Sequence, residues 1–376
     1  MLSFWEKETW FRNLDLVVVG GGLVGLTTAV SYKMRFPRSR VLVLERAPIG
    51  LGASTRNAGF ACYGSPSELL DDLEASSAEA VWSRVEQRWV GFQKLMKLLG
   101  PENMGYEPLG GRELFRTDAL DQTDAVLNRL PELNVALKEI FGATPFEVEA
   151  ALPEILGLRG FEQSIRLPFE GQIDTGRTVH SLMKLAREKG IELLHGLKVL
   201  GYEDSGVGVW VETDVGRFRT RNLALCTNGF ARQLWPEASL QPARAQVLIT
   251  EPISGLGLKG LFHVHKGYYY FRNVGDRILL GGGRHKFRQA ESTARLVTTA
   301  QVQRHLEQFL QKHLRQGALP EVADSWAGIM GFGAQNEKAV LIEKLSPHVV
   351  CGVRLGGMGI AIGASVGEQT AALFED

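Results

Sequence analysis

Three cysteines are all that this chain of 376 residues contains. Cys62, Cys226 and Cys351 lie far apart, so they form neither a C-x-x-C metal or redox pair nor a disulfide framework. An excess of charge of one sign is also missing, because 42 Lys and Arg balance 42 Asp and Glu. This balance argues against an electrostatic groove for nucleic acid. We therefore predict a reducing, cytoplasmic setting and no nucleic-acid partner.

Long apolar runs are missing as well. The sequence has no stretch of about 18 uninterrupted apolar residues and no basic segment followed by an apolar one at its start, so we predict neither a membrane span nor a signal peptide. It also has no internal repeat and no low-complexity segment. With 44% hydrophobic residues, the chain is long enough for two domains with buried cores.

The sequence does contain an apolar strand that runs straight into a glycine-rich turn, DLVVVGGGLVG at 15–25. Such a turn lets the backbone approach a pyrophosphate at the N-terminus of the next helix. Glu45 ends a second apolar strand 20 residues beyond Gly25, where its carboxylate can accept hydrogen bonds from a ribose. The pattern predicts a nicotinamide or flavin dinucleotide, and a glycine-rich turn without a ligand is the alternative. The predicted contacts in the turn are Gly20, Gly22, Leu23, Val24 and Gly25.

The rest of the chain alternates between helical and extended patterns. Apolar residues at spacings of three and four predict helices at 67–99, 118–141, 177–189 and 299–315. The region 241–287 is typical of β-structure, with GYYYFRN and DRILLGGGR as its clearest strands. After 171, the order of helix, strand, hairpin and strand indicates a return to the first sheet.

Four segments, in matching order, resemble FAD-dependent oxidoreductases of the D-amino acid oxidase type, which include glycine, sarcosine and gamma-glutamylputrescine oxidases. They are the first turn with Glu45, GASTRNAGF at 52–60, LALCTNGF at 223–230 and VRLGGMGIAIG at 353–363. The resemblance implies an α/β fold with two domains. An FAD-binding Rossmann-like domain comprises 1–90, 145–235 and 325–376, and an α+β substrate domain built on an antiparallel sheet comprises 91–144 and 236–324.

The resemblance also implies which residues hold FAD. Arg56 offers positive charge to the pyrophosphate, and Ser54 or Thr55 caps the next helix. Arg354 adds to the positive helix end beside the pyrimidine side of the flavin. For both arginines a surface ion pair is the alternative. The other implied contacts are Arg46, Ala53, Asn57, Ala58, Gly59, Val199, Thr227, Asn228, Gly229, Gly356, Gly357, Met358, Gly359 and Ile360.

The segment GYYYFRN supplies the predicted wall of the substrate pocket. Alternate side chains of a strand share a face, so Tyr268 and Tyr270 belong to one face, where they can hold an amine or a carboxylate-bearing substrate. Tyrosines that only stabilise a sheet are the alternative. In amino acid oxidases of this type an arginine clamps the substrate carboxylate, and Met330 occupies the matching position in this sequence. Arg272 and Arg284 are therefore the candidate replacements.

The implied activity is that of an FAD-dependent amine or amino acid oxidase or dehydrogenase. A C–H bond next to nitrogen delivers hydride to flavin N5, and water hydrolyses the imine. Leu279 and Ala361 occupy the positions that match the lysines of sarcosine oxidases. Without these lysines, both oxygen and another compound stay open as the electron acceptor. Because 330–346 has no cysteine, we predict non-covalent FAD, and no metal. Oxidation of a 2-hydroxy acid and flavin binding without catalysis are the alternatives.

Overall fold

The computed structural model describes residues 2–150, 156–314, 320–334 and 337–375. Its helices are α1 (Phe4–Glu6), α2 (Leu23–Arg35), α3 (Ala53–Arg56), α4 (Pro66–Ala75), α5 (Ala78–Leu99), α6 (Pro101–Met104), α7 (Leu120–Phe141), α8 (Thr175–Glu188), α9 (Ala300–His313) and α10 (Gly359–Ala372). Its strands are β1 (Leu14–Val19), β2 (Val41–Glu45), β3 (Phe60–Ala61), β4 (Gly111–Arg116), β5 (Glu147–Ala150), β6 (Phe161–Leu167), β7 (Gly171–Gln172), β8 (Glu192–His195), β9 (Val199–Asp204), β10 (Val209–Thr213), β11 (Arg217–Leu225), β12 (Gln241–Thr250), β13 (Leu261–Val264), β14 (Tyr269–Val274), β15 (Arg277–Gly282), β16 (Val322–Phe332), β17 (Leu341–Ser346) and β18 (Val349–Val353).

The first sheet has the strand order β17-β18-β11-β1-β2-β8, and the hairpin of β9 and β10 is attached to β11. Its strands from β18 to β8 pair in parallel. β11 lies directly beside β1, which is the return to the first sheet that the order of elements predicts. The carboxyl ends of β1, β2 and β11 therefore meet at one edge, where open α/β sheets bind their ligands.

β1 is buried on both faces because its side chains alternate between two cores. Leu16 and Val18 pack with α2, α5 and α10 on one face. Val17 and Val19 pack with the β9–β10 hairpin on the other. The uninterrupted apolar run is what a parallel strand covered on both sides requires, and it holds the following glycine turn in a fixed position.

The second sheet has the order β16-β12-β15-β14-β13-β4-β6-β5. Its neighbours are antiparallel except for β4 and β13, which run parallel. One face packs against α9 through an aromatic and aliphatic core. The other face turns its side chains toward the first sheet, where Val247 and Leu279 contact Ala58. The predicted α/β class with a second, largely antiparallel sheet is confirmed.

The sheets divide the chain differently from the predicted domain boundaries at three strands. β5, β6 and β16 belong to the second sheet, although the ranges 145–235 and 325–376 were assigned to the FAD-binding domain. A strand's alternation shows which of its faces is buried, but it does not show which sheet the strand joins. The domain limits themselves stay a prediction.

The predicted helices are present, and one of them is divided. The single helix predicted at 67–99 is wrong in that respect, because Ser76 is extended and separates α4 from α5. Ser77 then caps α5 by accepting a hydrogen bond from the backbone N–H of Ala80. None of the helices in the described ranges combines the length and the apolar character needed to cross a membrane.

Candidate cofactor and substrate site

One cavity of about 1290 Å³ lies between the carboxyl edge of the first sheet and the inner face of the second. It extends from the turn after β1, past the segment 52–58, to Tyr268 and Tyr270 of the second sheet. Typical small-molecule sites have volumes of about 300–1,000 Å³. The cavity therefore has room for a dinucleotide together with a small substrate.

The glycine turn after β1 packs so tightly on neighbouring backbone atoms that it has no room for side chains. Gly20 adopts a φ of +112°, and a Cβ on Gly25 would lie 1.9 Å from the carbonyl oxygen of Gly20. The backbone N–H of Leu23 donates to Ser54 Oγ at 2.9 Å. The next amides of the first turn of α2 have no partner within the helix. The turn thus offers free N–H groups and a positive helix end to a phosphate.

The expected capping of the following helix by Ser54 or Thr55 is wrong. Ser54 instead caps α2, across 31 positions of sequence. Thr55 donates its hydroxyl proton to the carbonyl oxygens of Gly50 and Gly52, which closes its own loop. Helix α4 begins after Ser65, whose side chain makes no capping hydrogen bond. The sequence of a short segment does not show which helix N-terminus a serine in that segment will cap.

Glu45 is held at the cavity wall in the position expected for a ribose contact. Its Oε2 accepts from the backbone N–H of Gly21 at 3.0 Å, and its Oε1 accepts from that of Ala47 at 2.9 Å. Each carboxylate oxygen keeps a further lone pair for a hydroxyl donor. Beside it, the Arg46 guanidinium lies 3.9 Å from the ring centre of Phe230. This end of the cavity fits an adenosine.

Arg354 is not the free cation that the sequence suggests. Its guanidinium makes a bidentate ion pair with Glu337 at 2.7 Å and also donates to the carbonyl oxygens of Ser239 and Ala339. Its charge is compensated by Glu337, so the expected extra positive charge at the pyrimidine side is not available. The anchored arginine instead stabilises the turn that leads into α10, where Asn228 Oδ1 accepts from the backbone N–H groups of Arg354 and Leu355.

The Arg56 side chain also forms a hydrogen bond within the protein. Its Nη1 donates to the carbonyl oxygen of Ala327 at 3.1 Å, and its own carbonyl oxygen accepts from Trp326 Nε1 at 3.0 Å. Both bonds join the segment 52–60 to β16 of the second sheet. The buried Nε of Arg56 has no hydrogen-bond partner among the described residues. The contact of Arg56 with a pyrophosphate stays a prediction.

Most of the predicted cofactor residues line this cavity. They are Gly20, Gly22, Leu23, Val24, Glu45, Arg46, Ala53, Ser54, Arg56, Asn57, Ala58, Val199, Thr227, Asn228, Arg354, Gly356, Gly357, Met358, Gly359 and Ile360. Gly25, Thr55, Gly59 and Gly229 lie behind the wall, where Gly229 for example packs on the backbone of Met330. The buried hydroxyl of Thr227 has no hydrogen-bond partner in the part of the chain that the structure describes. This unpartnered donor, the free amides and Glu45 fit FAD.

The other end of the cavity is lined by Tyr268, Tyr270, Arg284, Met330 and Phe332. Arg284 lies 4.6 Å from the ring centre of Phe332, and burial lowers the pKa of its guanidinium. The Tyr270 ring lies across Gly281, and burial raises the pKa of its hydroxyl to about 12. The hydroxyl is therefore protonated at neutral pH and can donate a hydrogen bond.

The predicted alternation along β14 is present. Tyr269 stacks on Phe309 of α9, with 4.6 Å between ring centres, and Phe271 stacks on Phe262 at 4.8 Å. These two side chains belong to the core on the far side of the sheet. Tyr270 faces the cavity, and Tyr268, just before the strand, lines it as well.

Arg272 does not line the cavity, in contrast to its expected role. It is only 7% exposed, and its guanidinium lies under Gly59, where a Cβ would be 3.0 Å from Nη2. Burial lowers the pKa of Arg272 to about 10, although the charges of Glu107 and Asp174 act against that shift. Its Nε has no hydrogen-bond partner among the described residues. Of the two candidate arginines, the structure brings only Arg284 to the cavity.

Sequence reasoning missed part of the cavity wall. The additional residues include Phe60, Cys62, Glu68, His263, Lys266, His285 and Lys338. His263 lies on β13, between the core residues Phe262 and Val264. Because alternate residues of a strand face opposite sides, the sequence could have placed His263 on the face opposite to Phe262 and Val264. No sequence motif shows that this face belongs to a site. His285 follows Arg284, and burial lowers the pKa of His285 to about 4.

Comparison with known proteins agrees with this geometry. The family model DAO, described as FAD dependent oxidoreductase, matches residues 15–373. The bifunctional protein ThiO/ThiG of Synechocystis sp. is 27% identical over 62% of this chain and 32% of its own length. The L-2-hydroxyglutarate dehydrogenase of Escherichia coli strain K12 is 24% identical over 61% of this chain and 50% of its own length. The chain thus spans at most half the length of these two relatives.

Solved structures show the same fold across nearly the whole chain. Glycine oxidase from Geobacillus kaustophilus has a TM-score of 0.75 at 19% identity, covering 96% of this chain and 95% of that chain. L-proline dehydrogenase from P. horikoshii has a TM-score of 0.74 at 18% identity, covering 96% and 93%. Together with the match over residues 15–373, the cavity and its glycine turns establish that the chain belongs to the DAO family of FAD-dependent oxidoreductases.

Proposed function

We propose that this flavoenzyme oxidises the C–N bond of an amine or amino acid. Bound FAD would accept the hydride of the adjacent C–H bond, and water would hydrolyse the resulting imine. The observation that carries the proposal is the Arg284 guanidinium, which lines the same cavity as the dinucleotide turn and stacks on Phe332. Among the described residues, no carboxylate forms an ion pair with it. A partly buried guanidinium of this kind is a binding site for a substrate carboxylate.

The charge balance of the cavity supports an anionic substrate. Ten lysine and arginine side chains, but only five aspartate and glutamate side chains, line its described part, although the whole chain carries no net charge. The diphosphate of the cofactor offsets part of this excess. A substrate carboxylate at Arg284 offsets a further part.

Each residue at this end then has a task. Arg284 binds the carboxylate and fixes the α-carbon, Tyr270 offers a hydroxyl group from the second sheet, and Phe332 excludes water from the guanidinium. FAD, when bound, supplies the electron sink for the hydride. Holding the donor carbon in one orientation lowers the entropic part of the barrier.

Oxidation of a 2-hydroxy acid is the second candidate function. The similarity to L-2-hydroxyglutarate dehydrogenase over 61% of the chain favours it, and a carboxylate site at Arg284 suits either substrate class. An anaerobic titration of the purified yellow protein with amines, amino acids and 2-hydroxy acids separates the two. The class that bleaches the flavin is the substrate class, and admission of air then tests oxygen as the electron acceptor. A protein that keeps its colour with every compound would be a flavin-binding protein without catalysis.

Replacement of Arg284 tests the carboxylate site directly. A charge-assisted hydrogen bond contributes about 1.5–3 kcal/mol, so Arg284→Met should lower kcat/KM for an amino acid by about 10- to 100-fold. The same variant should leave kcat/KM for the matching amine without a carboxylate nearly unchanged. Arg277→Met is the matched control, because Arg277 starts β15, the strand just before Arg284, and pairs with Glu251 at the surface. Equal losses for both substrates would contradict the assignment.

A further inference from the structure

A row of polar side chains crosses the inner face of the second sheet. The strand register places Glu113 of β4 beside His263 of β13, and His263 beside Tyr270 of β14. His263 and Tyr270 both line the cavity. Glu170 reaches this row from the loop before β7, and its Oε2 lies 2.7 Å from His263 Nε2. The function proposed above uses Tyr270 but gives His263, Glu170 and Glu113 no role.

The His263–Glu170 pair is buried and held in place. The His263 side chain is 7% exposed and that of Glu170 2% exposed. The backbone N–H of Tyr63 donates to Glu170 Oε1 at 3.4 Å. The second carboxylate oxygen lies over Gly111, where a Cβ would be only 2.0 Å from it. The glycine at position 111 therefore gives Glu170 the space that it needs to reach the histidine.

The hydrogen bond fixes the chemistry of the imidazole. An ionised Glu170 can only accept, so Nε2 carries the proton, and Nδ1 keeps its lone pair in the neutral ring. No described residue forms a hydrogen bond with Nδ1. Phe60 contacts both His263 and Tyr270 edge to face, with ring centres 5.4 Å and 5.6 Å apart. Phe60 of the segment 52–60 thus packs on both the imidazole and the tyrosine of the pocket.

We propose that His263, oriented by Glu170, accepts the proton that the substrate loses during oxidation. The N–H or O–H proton of the substrate moves to Nδ1, the hydride leaves carbon for the flavin, and the electron pair freed on nitrogen or oxygen forms the C=N or C=O bond. Glu170 stabilises the resulting imidazolium as a positioning residue. This inference rests on the proposed function, because it needs a substrate that gives up both a hydride and a proton.

Charged groups from several elements act on His263. Burial alone would lower the pKa of His263, but Glu170, with Glu113 of β4 and Glu68 of α4, outweighs it and raises that pKa. Arg88 of α5 forms an ion pair with Glu68, and Tyr270 is neutral at working pH. Below its raised pKa the imidazole already carries a proton and cannot accept another. The rate of flavin reduction should therefore rise as pH increases through the pKa of His263.

The test is the anaerobic rate of flavin reduction in the FAD-loaded enzyme, measured against pH at saturating substrate. In the wild-type enzyme we expect the rate to rise with pH as His263 loses its proton. This rise, the His263 limb of the pH profile, is separate from any ionisation of the substrate. His263→Gln should remove that limb and lower the rate by about 100-fold or more, while FAD stays bound. His313→Gln is the matched control, because His313 is also buried but bonds the carbonyl oxygen of Arg159 away from the cavity.

Two further variants keep the proposal testable if His263→Gln fails to fold. Glu170→Gln retains a hydrogen-bond acceptor but removes the charge, so the limb should shift to lower pH. Gly111→Ala should push Glu170 away and shift the limb in the same direction. A pH dependence of flavin reduction that is unchanged in every variant that folds overturns the inference but leaves the proposed function intact. If no amine, amino acid or hydroxy acid reduces the wild-type flavin, the proposed function itself fails.

Discussion

Four arginines near the cavity differ in what surrounds their charge. Arg354 is neutralised by Glu337, and Arg56 donates to a carbonyl oxygen of β16. Arg284 lines the cavity and stacks on Phe332, whereas Arg272 lies buried under Gly59. A charged group without a partner is costly to bury. At this scale, Arg272 and Arg284, whose guanidinium groups have neither an ion pair nor a hydrogen bond among the described residues, are the ones whose replacement is most informative.

Arg272→Met should stabilise the protein. A buried polar group without a partner costs about 1–3 kcal/mol, and methionine of similar length removes that cost. Because the pKa of Arg272 is lowered to about 10, the cost is fully present below that pH and declines above it. Urea unfolding at neutral pH should show the gain, and the gap between variant and wild type should stay constant up to about pH 10 and narrow only as the pH rises further. A variant that is no more stable but has lost flavin reduction would show that Arg272 contacts the substrate instead.

The sequence predicted one kind of site residue well and another poorly. Gly20, Gly22 and Glu45 were predicted because one strand, one turn and one further strand position them. His263 and Glu170 are 93 positions apart and meet only through the pairing of the second sheet. The partner of Arg354 was equally invisible, since Glu337 lies in another loop. Local geometry can be inferred from spacing, but a contact between distant segments requires the folded chain.

Among the elements, α10 is packed tightly between α2 and α5. A Cβ on Gly91 of α5 would lie 2.3 Å from the carbonyl oxygen of Ala361, and one on Gly367 would lie 2.0 Å from Thr27 Oγ1 of α2. Helices that cross this closely need glycine at the contact. α2 starts at the phosphate turn, and α10 starts at the glycine turn 356–359 that lines the same cavity. Their packing therefore sets the distance between two walls of the cofactor site.

Gly91→Val should destabilise the fold by about 1–3 kcal/mol, the usual cost of overpacking. The obstructing atom belongs to the backbone of α10, so a simple rotation of a side chain cannot relieve it. Because α10 must shift, affinity for FAD should also fall. Urea unfolding and FAD titration measure the two effects. Gly257→Val is the control, because a Cβ there meets no atom within 4 Å, and a matching loss in the control would contradict the packing argument.

The pattern of elements was predicted better than their limits. The apolar stripe at 78–99 is present as α5, with Val85, Phe92 and Leu99 buried. The break at Ser76 was missed because the apolar spacing continues across it and serine is common inside helices as well as at their starts. The sheet that β5, β6 and β16 join could not be predicted for a related reason, since alternation shows a buried face but not the neighbouring strand.

At the scale of the whole molecule, the two sheets share one ligand cavity. The first sheet contributes the dinucleotide end, and the second contributes Tyr270 and His263, with Tyr268 and Arg284 just outside its strands. The segment 52–60 is bonded to β16 through Arg56 and Trp326. A cofactor in this cavity contacts both sheets at once, so its binding energy should stabilise the entire fold rather than one half.

Removal and return of FAD test this coupling. A ligand that binds only the folded state adds about 2.7 kcal/mol at a concentration of 100 times its Kd. The protein stripped of FAD should therefore unfold in one transition at a lower Tm, which rises steadily as FAD is added back. Adenosine diphosphate should give a smaller rise, since it reaches only the end near Glu45 and Val199. Acid precipitation should leave the flavin in solution, as non-covalent binding requires. Separate transitions, only one of which responds to FAD, would mean that the two sheets are stabilised independently and that the cavity does not couple them.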